Sequence, residues 1–143
     1  MTSAALIEDR LTEKELELEK DATHGGVYLV IVERNIERRE VGHPPTLDEI
    51  REEIGKKDLV DFRFQAMPGA VFWVYNCHHG ALTCTENKTV MVLYEEHGHL
   101  FIQAEVGGIV VVTKKDATGR IGLLSMDEAT EIQKYIRVVG YAA

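Results

Sequence analysis

From Asp58 onward the apolar positions of this chain recur at every second residue, and before it they recur at helical spacing. Val60, Phe62, Phe64 and Ala66 alternate with Asp61, Arg63 and Gln65, the pattern of a half-buried strand. Met67-Pro68-Gly69-Ala70 places Pro and Gly where a turn wants them, and Val71 to Cys77 returns. Thr89 to Glu95 and His99 to Val106 are two further strands, joined at His97-Gly98. Gly107-Gly108 turns the chain into Ile109–Lys114, and Ile121–Leu124 is a last short strand. Tight loops at these turns predict registers. Phe64 would face Trp73, Phe62 would face Tyr75 and Val60 would face Cys77. Leu93 would face Ile102, Met91 would face Ala104, and Ala104 in turn would face Val111.

The first part of the chain reads differently. Residues 4–20 carry Ile7, Leu11 and Leu18 on one helical face among Glu and Lys. Residues 27–40 open with an apolar run, Val27 to Val32, that suits a buried helix or a buried strand. Leu29, Val32 and Ile36 share a helical face, and the charged continuation Glu33–Glu40 tips the reading to a helix. Thr46 followed by Glu49 forms a capping box for a short helix that Gly55 stops. Ser125 and Glu128 form a second box, for a closing helix with Ala129, Ile132, Ile136 and Val139 on its apolar stripe. The expected fold is therefore α+β in a single domain over residues 1–143. Residues 1–57 are mainly helical, 58–125 form an antiparallel β-meander of about six strands, and 126–139 form a C-terminal helix.

The meander is apolar on both faces. One face holds the pairs named above. The other carries Val90, Val92, Tyr94, Phe101, Val110 and Val112, mixed with Gln103 and Glu105. Such a sheet must be covered twice, by helices, by a second subunit or around a ligand. A homodimer hiding Val90, Val92, Tyr94 or Phe101 is the expected assembly.

The net charge of −8 over 143 residues repels phosphate backbones and anionic lipid, so nucleic-acid and membrane partners are not expected. The N-terminus meets Glu8 and Asp9 before any apolar run develops, so a cytoplasmic protein is expected. Its two cysteines are then expected as reduced thiols.

Reactive side chains crowd one stretch. Both cysteines and four of the six histidines lie between Cys77 and His99. Zinc is the alternative cofactor here, with Cys84, His97 and His99 as ligands; the expectation is that no metal or cofactor is bound. Cys77, His78 and His79 are adjacent, and neighbours on a strand point to opposite faces, so they cannot all hold one ion. His97-x-His99 is similar to the ligand pair of the cupin barrels, but the upstream glycine is missing and Glu105 lies too far along. A turn at His97-Gly98 explains the same residues. A nucleophilic Cys77 beside His78 or His79 lacks a visible orienting group.

The segment Arg39–Ile50 resembles the approach to the second helix of winged-helix repressors, including the SOS-response repressor. The resemblance stops at Arg51, Lys56 and Asp61, which stand where that family needs small or apolar residues. The leading reading is a non-enzymatic binding or interaction module for a protein or small molecule. It would act through an apolar sheet face or the 76–87 loop. The candidate binding residues are Cys77, His78, His79, Tyr94, His97, His99 and Phe101. A metal- or cysteine-dependent enzyme and a winged-helix-like DNA-binding protein are the alternatives.

Overall fold

A computed structural model of the chain describes residues 25–76 and 88–138. The proposed helix over 4–20 lies outside these residues. The described residues begin with a hairpin of β1 (Gly26–Val32) and β2 (Asn35–Val41), followed by α1 (Leu47–Ile54). Then come β3 (Leu59–Arg63), β4 (Ala70–Tyr75), β5 (Lys88–Glu96), β6 (His99–Gly107), β7 (Val110–Lys115) and β8 (Ile121–Gly122). Helix α2 (Met126–Gln133) and strand β9 (Ile136–Val138) close the described chain. Among the described residues the architecture is mostly antiparallel sheet with two helices, one of them near the C-terminus.

The expected helix over 27–40 is a hairpin. Val32 pairs with Asn35 around Glu33-Arg34, and Glu33 takes a positive φ of 55°. Neither central residue of that turn is a glycine or an asparagine, so the usual hairpin signal is absent. The β-branched run from Val27 to Val32 is decided from afar. Leu29, Val30 and Ile31 pair with Val112, Val111 and Val110 of β7. Gly26 permits the close approach of Leu124, whose carbonyl oxygen would lie 2.8 Å from a Cβ at that position.

The meander is two sheets, not one. The first runs β2-β1-β7-β4-β3, with β8 beside β7, and the second runs β6-β5-β9. After Gly107-Gly108 the chain leaves the second sheet for the first, so β6 and β7 do not pair and Ala104 does not face Val111. The β3–β4 register also differs from the expected one: Phe62 faces Phe72 and Val60 faces Val74. The loop between them is longer than two residues, with the amide of Phe64 donating to Ala70 O at 2.9 Å. That shift of three exchanges the faces of β4. Phe72 and Val74 then join Phe62 and Phe64, while Trp73 turns away from them. The closing helix is shorter than expected. Ile136 sits in β9, opposite Val92 of β5, and Val139 lies outside the described residues.

Both faces of the first sheet are covered by the chain itself. On one, Val27, Leu29, Ile31, Phe64, Phe72 and Val112 meet Val90, Val92 and Val106 of the second sheet and Ala129 and Ile132 of α2. Phe62 and Phe72 stack with ring centroids 5.3 Å apart. On the other, Ile50 and Ile54 of α1 cover Val30, Val71, Trp73 and Val111. Both predicted capping boxes are formed, at Thr46–Glu49 and Ser125–Glu128, and Gly55 ends α1 in the left-handed region at φ 77°. Glu53 fastens α1 to the first hairpin by accepting from Tyr28 Oη at 3.3 Å and from Arg39 at 3.1 Å. Burial, and then the Glu53 carboxylate, push the Tyr28 phenol above its ordinary range. Among the described residues no helix is long and apolar enough to cross a membrane.

Candidate functional site

The described site candidates gather on the outer half of the β5–β6 hairpin. Glu96 faces His99 across a tight turn in which both His97 and Gly98 have positive φ, 53° and 77°. Leu93 faces Ile102, as the turn predicts. Next along, Val92 faces Ala104, which leaves Gln103 without an opposite number: a bulge on β6. Met91 therefore faces Glu105 and not Ala104.

The bulge aims Gln103 at the edge of the first sheet. Its side-chain amide donates to Arg63 O at 2.7 Å and accepts from the Gln65 amide at 2.9 Å. Arg63 O is the last carbonyl of β3, and Gln65 N lies two residues beyond it. One glutamine thus does locally what a neighbouring strand would do. Sequence reasoning counted Gln103 as a polar interruption. Only the bulge, which has no local signature here, shows its role.

Beyond Gln103 the hairpin is exposed. Val90 and Val92 are fully buried inside the chain, so no second subunit is needed to hide them. Leu100, Phe101 and Ile102 retain 53%, 45% and 52% of their exposure on consecutive positions of an edge strand. Alternation puts Leu100 and Ile102 on one face and Phe101 on the other. Phe101 stacks on Tyr94, centroids 5.6 Å apart and planes 27° apart.

The other edges are protected. β2 presents Glu37, Arg38, Arg39 and Glu40, and charge blunts strand addition. β3 is bonded by Gln103, and β9 has only three residues. Among the described residues the His99–Ala104 stretch of β6 is an apolar edge without Asp, Glu, Lys or Arg.

Beside Tyr94 lies a cleft of about 290 Å³, lined by Gln65, Ala66, Tyr94, Glu95, Glu96 and Tyr135. Tyr135 is braced from behind, edge-on to the buried Phe64 at 6.1 Å.

His97 and His99 are exposed. The turn removes the extended His97-x-His99 arrangement in which both rings would share a strand face. The Glu96 carboxylate lies 3.7 Å from His97 Nε2. Cys77, His78, His79 and Cys84 lie outside the described residues, as does most of the 76–87 loop. Among the described residues no three His, Cys, Asp or Glu side chains gather to hold a metal. The structure therefore brings together Tyr94 and Phe101, and leaves His97 and His99 at the hairpin tip.

No protein-family model, no curated protein and no solved structure matches this chain.

Proposed function

We propose that this protein is a non-enzymatic interaction module that associates through the free edge of β6, and that a second copy of the chain is its occupant. The observation that carries the reading is the run Leu100-Phe101-Ile102, half exposed on an edge that is open among the described residues. An exposed edge strand adds another strand by backbone hydrogen bonds, and alternate side chains add specificity. A second copy suits this edge because an antiparallel β6–β6 pair is isologous: the same apolar strip serves both sides. Charge permits it as well. The protein carries −8, yet His97–Ala104 contains no Asp, Glu, Lys or Arg. Two acidic molecules can join along this strip without opposing like charges within it.

Light scattering over a concentration series tests the reading. The mass should rise from 16.1 kDa toward twice that value. Ile102→Lys, on an exposed position, should hold the protein at the monomer mass with its fold intact by circular dichroism. A native chain that stays monomeric at millimolar concentration would sink the proposal. So would a dimer indifferent to lysine at both Leu100 and Ile102.

A further inference from the structure

We infer that two copies of the chain pair in one register, centred on Phe101, which lies on the twofold axis and faces itself across it. The inference rests on the self-association proposed above and specifies the surface that performs it.

The backbone of the β5–β6 hairpin decides which groups face outward. His97 and Gly98 form a two-residue loop, both with positive φ, so Glu96 and His99 on either side of it form a hydrogen-bonded pair. Hydrogen-bonded and non-hydrogen-bonded pairs alternate from there along an antiparallel ladder. Tyr94 and Phe101 are then a hydrogen-bonded pair, while Glu95–Leu100 and Leu93–Ile102 are not. A separate contact agrees: the Leu93 N–H points away from β6 and donates to Tyr135 O at 2.8 Å. The N–H and C=O groups of Leu100 and Ile102 therefore point away from β5, out of the edge that is open among the described residues. Those of Phe101 are used on Tyr94.

An incoming antiparallel strand is held by these outward groups, and the axis can lie at one of three residues. Centred on Leu100, it sets Ile102 opposite Gly98, inside the turn. Centred on Ile102, it sets Leu100 opposite Ala104, past the bulge at Gln103, whose side chain is already bound to Arg63 and Gln65. Centred on Phe101, it sets each Leu100 opposite an Ile102, and every outward group of the strip is paired. Phe101 then opposes Phe101 of the second copy in a non-hydrogen-bonded pair, where side chains come closest. Each ring already stacks on its own Tyr94 at 5.6 Å, so the two pairs join into one aromatic row across the axis. A foreign strand would need an aromatic on one face between two apolar residues on the other. A second copy supplies that pattern by symmetry.

Disulfide trapping in the full chain tests the register, with Cys77→Ser and Cys84→Ser removing the native thiols. Light scattering and circular dichroism check that this background behaves like the native chain. With diamide as the oxidant, Phe101→Cys should cross-link two copies about tenfold faster than Leu100→Cys or Ile102→Cys. Opposite residues of a non-hydrogen-bonded pair have Cα atoms about 4.5 Å apart, within disulfide reach, whereas Leu100 lies about 7–8 Å from Leu100 of the second copy, outside it. A second measurement needs no substitution. In native protein mixed from labelled and unlabelled copies, an isotope-filtered NOE should join Hα of Phe101 in one copy to Hα of Phe101 in the other. Faster trapping through Leu100→Cys or Ile102→Cys, or a native dimer without that NOE, would overturn the register and leave self-association standing. A native chain that stays monomeric would overturn both.

Discussion

At the scale of single residues, two polar groups decide more than their neighbours. Thr113 is fully buried, and its hydroxyl accepts from Trp73 Nε1 at 2.9 Å while donating to Lys114 O at 3.0 Å. Thr113→Val should cost about 1–3 kcal/mol in urea unfolding, because it strands a buried indole N–H. The loss should shrink in a Trp73→Phe background, where no such donor remains. Glu128 makes the second case. Burial pushes its carboxyl upward, but the Lys114 ammonium at 2.8 Å and the Ser125 amide outweigh burial and hold it below its ordinary value of 4.5. A depressed carboxyl stabilises the fold above pH 4.5, and that stabilisation is lost as pH falls through the folded value. Glu128→Gln should therefore lose about 0.5–1 kcal/mol near pH 7, after allowance for solvent screening. The gap between native and variant should close in melts taken below pH 4.5.

At the scale of elements, the edges of the two sheets carry the interest. Charge protects β2, brevity protects β9, and Gln103 caps the end of β3, bonding Arg63 O and, just past the strand, Gln65 N. Gln103→Met keeps the length of the side chain and removes both bonds. It should cost about 1–2 kcal/mol by urea unfolding. Amide exchange should speed up at Gln65 above all, since its N–H loses its acceptor. An exchange rate at Gln65 that does not change would mean that the bond has no part in closing the edge. The bulge at Gln103 and the exposed run that precedes it belong to one strand: Gln103 reaches the end of β3, and Leu100–Ile102 is left open.

At the scale of the whole molecule, the open half governs association. A standard protein interface buries about 800 Å² per partner, more than three half-exposed side chains can supply. Pairing through β6 is therefore expected to be weak and concentration-dependent. The light-scattering mass should climb gradually and not sit at a plateau, and added salt should change it little because the strip carries no Asp, Glu, Lys or Arg.

What the sequence determined by itself was local. Thr46–Glu49 and Gly55 bound α1 and Ser125–Glu128 start α2, because a cap needs only residues within one turn of each other. The His97-Gly98 turn and the Leu93–Ile102 pairing are equally local. Tyr94 and Phe101 could be singled out because they face each other across that same turn. The tertiary structure decided what depends on distant partners. Val27–Val32 has no turn residue at Glu33 to mark it as a strand, and its pairing with β7 settles the matter from some eighty residues away. The division of the meander into two sheets, the reversal of Trp73 and the placement of Ile136 in a strand all follow from which strand edge happens to be available. Alternation of apolar residues says that a strand has a buried face; it does not say which strand lies beside it, because backbone hydrogen bonds carry no residue identity. For the same reason the role of Gln103, and the exposure of Leu100, Phe101 and Ile102, became visible only once every edge had been assigned its neighbour.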